Sequence, residues 1–174
     1  MLYTRKGDSG TTKSFSSKGR LSKTDPLFEA LGTVDELNAL LGVCKMKAEG
    51  SLIARHLETI QQHLFILQAE LAGAGKQLTA EHVLWLEHET DAIESTLPPI
   101  TTFFLAGGTE LSAQLDLART VARRAERRVL AAHEGGVELA DASLAYVNRL
   151  SSLLYAFARK ANSSAGASEQ PPTY

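Results

Sequence analysis

Cysteine is nearly absent from this chain: among 174 residues only Cys44 is present. An internal disulfide is therefore excluded, and so is a thiolate metal cluster. Cys44 lies in an apolar helical stretch and reads as buried packing, not as a nucleophile. Long apolar runs are also missing. None approaches the about 18 residues of a membrane span, and the start of the chain has no apolar signal-peptide core, so a cytoplasmic protein with no membrane partner is expected. Charge of one sign is missing as well: the net charge of -2 argues against a general nucleic-acid binder. No stretch alternates clearly as a strand, and there is no internal repeat. What is present, 44% hydrophobic and 22% charged residues, belongs to an ordinary soluble protein with one domain long enough to build a core.

The chain is organised around Leu115 to Leu130, which holds no Gly or Pro and is rich in Ala, Leu, Arg and Glu, the composition of a stable helix. At about 100° per residue, Arg119, Arg123, Glu126 and Arg127 fall on one side, and Arg124 and Arg128 point nearly opposite. Ala118, Ala122, Ala125 and Val129 form a small-residue stripe beside the first group, while Leu117 and Val121 sit among the second. Two apolar strips imply two surfaces to cover, such as the helix's own bundle and another subunit. Guanidinium groups bordering such a strip call for carboxylate or phosphate partners. The same pattern also fits a solvated basic helix laced with i,i+4 ion pairs.

Residues 1–24 differ in texture. Gly7 and Gly10 flank Asp8-Ser9, with Thr4, Arg5, Lys6, Thr11, Thr12, Lys13 and Lys23 around them. Glycines let backbone N–H groups converge into an anion-binding nest, although a disordered basic arm has the same composition. It is not a Walker A loop, because the Gly-Lys-Ser/Thr ending is missing. From Asp25-Pro26, an N-cap followed by Pro, a first helix runs to about Gly50, with Asp35 and Asn38 at the edge of its apolar face. Ser51 caps a second, ending near Gly73-Ala74-Gly75. A third runs from Thr79 to Ser95. His56 and His63 are seven apart and form no zinc pair, and His82, Glu87, His88 and Asp91 read as a solvated face. After Pro98-Pro99, Phe103 and Phe104 are either core plugs or the wall of a ligand pocket. Thr109 caps the central helix and Gly135-Gly136 stops it. A fifth helix covers about Leu139 to Ala161, where Asn148, mildly unfavourable inside a helix, hints at a specific hydrogen-bond partner. The expected architecture is an all-α bundle of about five helices over residues 1–162, with residues 163–174 a flexible tail.

Four segments, taken in order and spacing, are Tyr3-Thr4-Arg5-Lys6-Gly7-Asp8-Ser9-Gly10-Thr11-Thr12, Gly32-Thr33-Val34-Asp35-Glu36-Leu37-Asn38, Arg119 through Arg128, and Tyr146-Val147-Asn148-Arg149-Leu150-Ser151. Together they resemble the PduO-type ATP:cob(I)alamin adenosyltransferases, over about residues 2–160. The resemblance implies a five-helix bundle assembling as a homotrimer with active sites between subunits. It also implies transfer of the 5′-deoxyadenosyl group of ATP to the cobalt of cob(I)alamin, with release of triphosphate. ATP would be bound by Thr4, Arg5, Lys6, Gly7, Asp8, Gly10, Thr12 and Lys23, by Arg123, Arg124, Ala125, Glu126 and Arg127, and by Asn148. Asp35 would pair with Arg119 across the subunit interface, and Phe103 would block the lower face of the corrin cobalt. Mg²⁺ would ride mainly on the ATP phosphates, and the product could pass to an adenosylcobalamin-dependent enzyme.

Lys6 stands where many relatives have Thr, and Ala106 where they usually have Pro. Cobalt(I) is itself a strong nucleophile, so no activated Ser, Cys or His is required. Cations and backbone donors around a leaving triphosphate are required, and the N-terminal segment is expected to be mobile until ATP binds. The competing readings are a trimeric bundle that binds ATP or cobalamin without chemistry, and a plain helical interaction protein.

Overall fold

The computed structural model describes residues 3–15 and 17–173; Met1, Leu2, Ser16 and Tyr174, which the expectations for the two ends include, lie outside the described residues. Five helices run in order along the chain: α1 (Pro26–Lys47), α2 (Leu52–Leu71), α3 (Ala80–Glu94), α4 (Glu110–Glu134) and α5 (Asp141–Ser164). Their starts are set by the residues the sequence marks. Asp25 Oδ1 accepts from Leu27 N at 2.9 Å, Ser51 Oγ from Ala54 N at 3.2 Å, and Thr109 Oγ1 from Ser112 N at 3.1 Å. Each such cap contributes about 1 kcal/mol. α4 ends at Gly135-Gly136, where Gly136 takes φ 102°, a conformation open to glycine and strained for other residues.

α4 packs against both α1 and α5. Ala118, Ala122, Ala125 and Val129 are buried along it, and short side chains let neighbouring helices approach closely. α1 supplies Ala30, Val34, Leu37 and Leu41 to the core, and α5 supplies Tyr146, Leu150, Leu153 and Phe157. Charges add a second tie between α1 and α4: Arg124 pairs with Glu36, and Arg128 Nη2 lies 3.9 Å from Glu29 Oε2. These pairs are about half exposed and worth at most about 1 kcal/mol each, against roughly 2 kcal/mol for each large apolar side chain buried. Packing holds this interface, and the ion pairs fix its register. Leu117 and Leu130 stay exposed on α4, whereas Val121, expected beside Leu117, is buried.

The structure departs from the sequence reading in three places. A small antiparallel ladder, β1 (Thr11–Thr12) on β2 (Leu21–Ser22), lies in the N-terminal segment, so the chain is not wholly helical. α5 continues to Ser164, and the residues beyond it are not a free tail: Leu105 N donates to Gln170 O at 2.8 Å and Arg159 bonds Glu169. His82, read as part of a solvated face, instead accepts from Thr79 N through Nδ1 at 3.0 Å, and its ring stands edge-on to His63 at 4.6 Å.

His63 joins α2 to α5. Its Nδ1 is 3.1 Å from Tyr146 Oη, and burial, which pushes the Tyr146 hydroxyl up, keeps the phenol protonated and able to donate to a neutral imidazole. Burial, reinforced by charge on His82, lowers His63 from 6.5 to about 4. A depressed folded-state value means that the unfolded chain takes up the proton first. The stabilisation from His63 is therefore whole above pH 6.5 and is lost as pH falls toward about 4. Thermal melts of wild type and His63→Gln at pH 7 and at pH 5 should show the smaller acid-induced drop in the variant. Equal drops would contradict this.

Candidate active site

The N-terminal segment folds as a turn-rich loop closed by the β1–β2 ladder. Arg5 takes φ 60° and Gly10 φ 77°, and the loop holds two tight turns, Asp8 N to Arg5 O at 3.4 Å and Gly10 N to Gly7 O at 3.2 Å. A non-glycine residue at positive φ costs on the order of 1 kcal/mol or more, and such strain concentrates where backbone donors are aimed at a ligand. Lys23 closes the loop: its N–H donates to Gly10 O at 2.9 Å, and its Nζ packs where a Cβ on Gly7 would come within 3.1 Å. Arg20, which the sequence did not single out, holds the turn from the other side. Its Nη2 donates to Thr11 O at 2.6 Å and to Lys6 O at 2.5 Å, and its Nε to Thr11 Oγ1 at 2.8 Å. Thr4, Arg5, Lys6, Asp8 and Gly10 are exposed on this loop, while Gly7 and Thr12 are half-buried.

On α4, Arg123 and Arg127 are exposed and, among the described residues, make no ion pair. Beside them Glu126 Oε1 accepts from Asn148 Nδ2 at 2.7 Å, so the asparagine has a specific partner and both lie on one surface of α4 and α5. Arg124 faces α1 through Glu36. Ala125, 2% exposed, packs its methyl into the core and presents no side chain to a ligand. Asp35 is exposed and, among the described residues, has no ion-pair partner in its own chain. Arg119 is held within the chain by Asp116, with Nε 3.2 Å from Oδ1, and its guanidinium lies 5.6 Å from the centre of the Tyr155 ring.

The segment between α3 and α4 carries the two phenylalanines. Phe104 is half-buried, with the Arg159 guanidinium over its ring at 5.6 Å. Phe103 is 80% exposed, and with Ile100, Phe104, Tyr155, Arg119, Arg123, Ser151 and Ser152 it lines a cleft of about 420 Å³. The lining combines aromatic rings with the guanidiniums of Arg119 and Arg123. Asp116 ties the segment to α4, because its Oδ2 accepts from Gly107 N at 3.3 Å while Oδ1 holds Arg119. Asn162 fixes the end of the segment, accepting from Thr109 N at 3.0 Å and donating to Gly107 O at 2.8 Å. Asp116 and Asn162 were not singled out from sequence; a carboxylate three residues before an arginine on one helix was the available signal for Asp116.

A larger hollow, about 700 Å³, opens at the opposite end of α4 beside Glu70, Lys76 and Glu138. Of its two acids, Glu70 is engaged at the start of α5, by Ala140 N at 2.6 Å and by the Ser143 hydroxyl. Burial pushes the Cys44 thiol up to about 11, which leaves it inert as a nucleophile. Among the described residues no group of three or more His, Cys, Asp or Glu could hold a metal ion, and no helix is long and apolar enough to cross a membrane.

Fold and cleft together define a helical bundle with an arginine-faced central helix and an aromatic-walled pocket at one end of it. The sequence profile of cobalamin adenosyltransferase matches residues 2–161. The chain belongs to that family. A corrinoid adenosyltransferase PduO from Citrobacter freundii is 41% identical over 165 residues, covering 91% of this chain and 49% of that one; this chain thus spans about half of that relative's length. A corrinoid adenosyltransferase from Bacillus subtilis is 37% identical over 173 residues, covering 95% and 88%. Among solved structures, a variant PduO-type ATP:corrinoid adenosyltransferase from Lactobacillus reuteri, complexed with cobalamin and ATP, superposes with a TM-score of 0.91 at 32% identity, covering 99% of this chain and 96% of that one.

Gly108 gives this geometry a direct test. Its φ is +107°, and a Cβ there would lie 2.5 Å from Asn162 Oδ1. Gly108→Ala should cost about 1–3 kcal/mol and lower the thermal midpoint by roughly 2–12 °C. A midpoint equal to wild type would show that Asn162 does not pin the segment.

Proposed function

We propose that this protein is an ATP:corrinoid adenosyltransferase that transfers the 5′-deoxyadenosyl group of ATP to the cobalt of cob(I)alamin, giving adenosylcobalamin and triphosphate. The observation that carries this is the cleft lined together by Phe103, Tyr155, Arg119 and Arg123. An apolar, aromatic surface suits a corrin ring, and the neighbouring guanidiniums suit a polyphosphate. Cobalt(I) donates its electron pair to C5′ as the C5′–O bond breaks, and triphosphate leaves with that bond's electrons. The protein's work is to align these atoms and to stabilise charge on the leaving group. Arg123, Arg127, the Glu126–Asn148 pair and the N-terminal loop with Lys23 are the groups for it. Mg²⁺ would be carried mainly by ATP, would neutralise phosphate charge and would need few protein ligands.

The N-terminal loop docks at the far end of α2 from its start, through Ser14 Oγ to Ala72 O at 3.2 Å. Among the described residues no hydrogen bond or ion pair joins it to α4. In the homotrimer that the family resemblance implies, one subunit's loop would complete another's arginine face. Asp35, exposed, is then the partner available to Arg119 across the interface. The proposed setting is cytoplasmic, with adenosylcobalamin passing to an enzyme that depends on it.

Excluding a lower axial ligand from cob(II)alamin makes its reduction easier, because an axial donor stabilises the oxidised metal, and Phe103, 80% exposed in the cleft, is the residue proposed to exclude it. Phe103→Ala should therefore keep ATP affinity within about twofold and lose the four-coordinate cob(II)alamin spectrum in the presence of ATP. Arg123→Ala should weaken ATP by about tenfold or more with an unchanged melting curve. A wild-type spectrum for the first, or wild-type ATP affinity for the second, would contradict the proposal. In limited proteolysis, cleavage near Gly7 should slow under saturating Mg-ATP; unchanged cleavage would mean that the loop does not close over the nucleotide.

A further inference from the structure

The stretch after α5 lies beyond the residues that the family profile matches, yet it is tied to the segment carrying Phe103. We propose that Glu169, acting through Arg159, is a positioning residue that holds the aromatic wall of the cleft in place. The inference rests on the adenosyltransferase reading above.

Arg159 is 4% exposed. Its Nε donates to Glu169 Oε1 at 2.8 Å and its Nη2 to Glu169 Oε2 at 2.9 Å, a two-pronged pair, while Nη2 also donates to Pro98 O at 3.0 Å. The guanidinium also lies against the Phe104 ring. One cation therefore touches the α3–α4 segment on both sides of Phe103, at residue 98 and at residue 104. A second tie lies next to it, from Leu105 N to Gln170 O at 2.8 Å. Phe103 itself is 80% exposed, so its own packing does little to fix it; its flanks do that. A buried guanidinium requires a charged partner. Without the Glu169 carboxylate, Arg159 must turn toward water or recruit another acceptor, and either movement loosens Pro98 and Phe104 together. Among the described residues neither Arg159 nor Glu169 hydrogen-bonds or ion-pairs with Arg123 or Arg127 on α4, so the effect on corrinoid is expected to exceed that on ATP.

The experiment compares wild type, Glu169→Gln and Glu169→Asp as full-length chains, with steady-state adenosylation at varied ATP and varied corrinoid, the cob(II)alamin spectrum with ATP, and amide hydrogen exchange at Leu105. For Glu169→Gln the expected result is a corrinoid KM raised about tenfold or more, an ATP KM within about twofold, a smaller four-coordinate fraction, and faster exchange at Leu105. Glu169→Asp keeps the charge at shorter reach and should recover part of each change; it also serves as the test if Glu169→Gln does not fold. A variant that melts lower but keeps the wild-type corrinoid KM and spectrum would overturn the inference, since that is what a purely structural pair would give. The two ideas fail differently. If wild type forms no adenosylcobalamin, the function falls and the inference with it; if wild type turns over and Glu169→Gln matches it, the inference alone falls.

Discussion

The close approach of α4 to its two neighbours is the constraint on which the rest of the molecule depends. Ala118, Ala122 and Ala125 are buried along that seam, and the arginines of the helix project elsewhere. Arg124 and Arg128 find carboxylates on α1. Arg119 finds Asp116 and the face of Tyr155. Arg123 and Arg127 remain on an open surface, as an anion site requires, because a guanidinium already paired in a tight local bridge has less to offer an incoming phosphate. The core thus creates the positive face by exclusion.

The aromatic end of the cleft has the opposite origin. Phe103 belongs to no regular element, and its segment is positioned by polar bonds from the helices around it: Asp116 and Asn162 at Gly107 and Thr109, and Arg159 at Pro98. Since Asp116 grips both this segment and Arg119, the two share a common anchor.

Much of this was legible in the sequence, for reasons that can be stated residue by residue. Asp25, Ser51 and Thr109 could be read as caps because capping is local chemistry, and Gly135-Gly136 could be read as a stop for the same reason. Asn148 betrayed itself as a polar residue inside a helix, and its bond to Glu126 spans one short connection. What escaped was non-local. The ladder of Thr11–Thr12 on Leu21–Ser22 is too short to show a period and is stitched by Arg20. The end of α5 ran past Ala161 because no breaker appears before Gly166. The bond from His63 to Tyr146 spans 83 residues. The stretch after Ser164 has the composition of a loose tail, and only a buried arginine ten residues upstream of Glu169 ties it down.

The proposed division of labour is one in which a corrinoid metal would supply the nucleophile and the protein would supply grip on a leaving polyphosphate. Product analysis after incubating the protein with ATP, Mg²⁺ and chemically reduced cobalamin tests that division most directly. The account predicts adenosylcobalamin and intact inorganic triphosphate in equal amounts. Release of ADP with phosphate, or unchanged ATP and corrinoid, would contradict it.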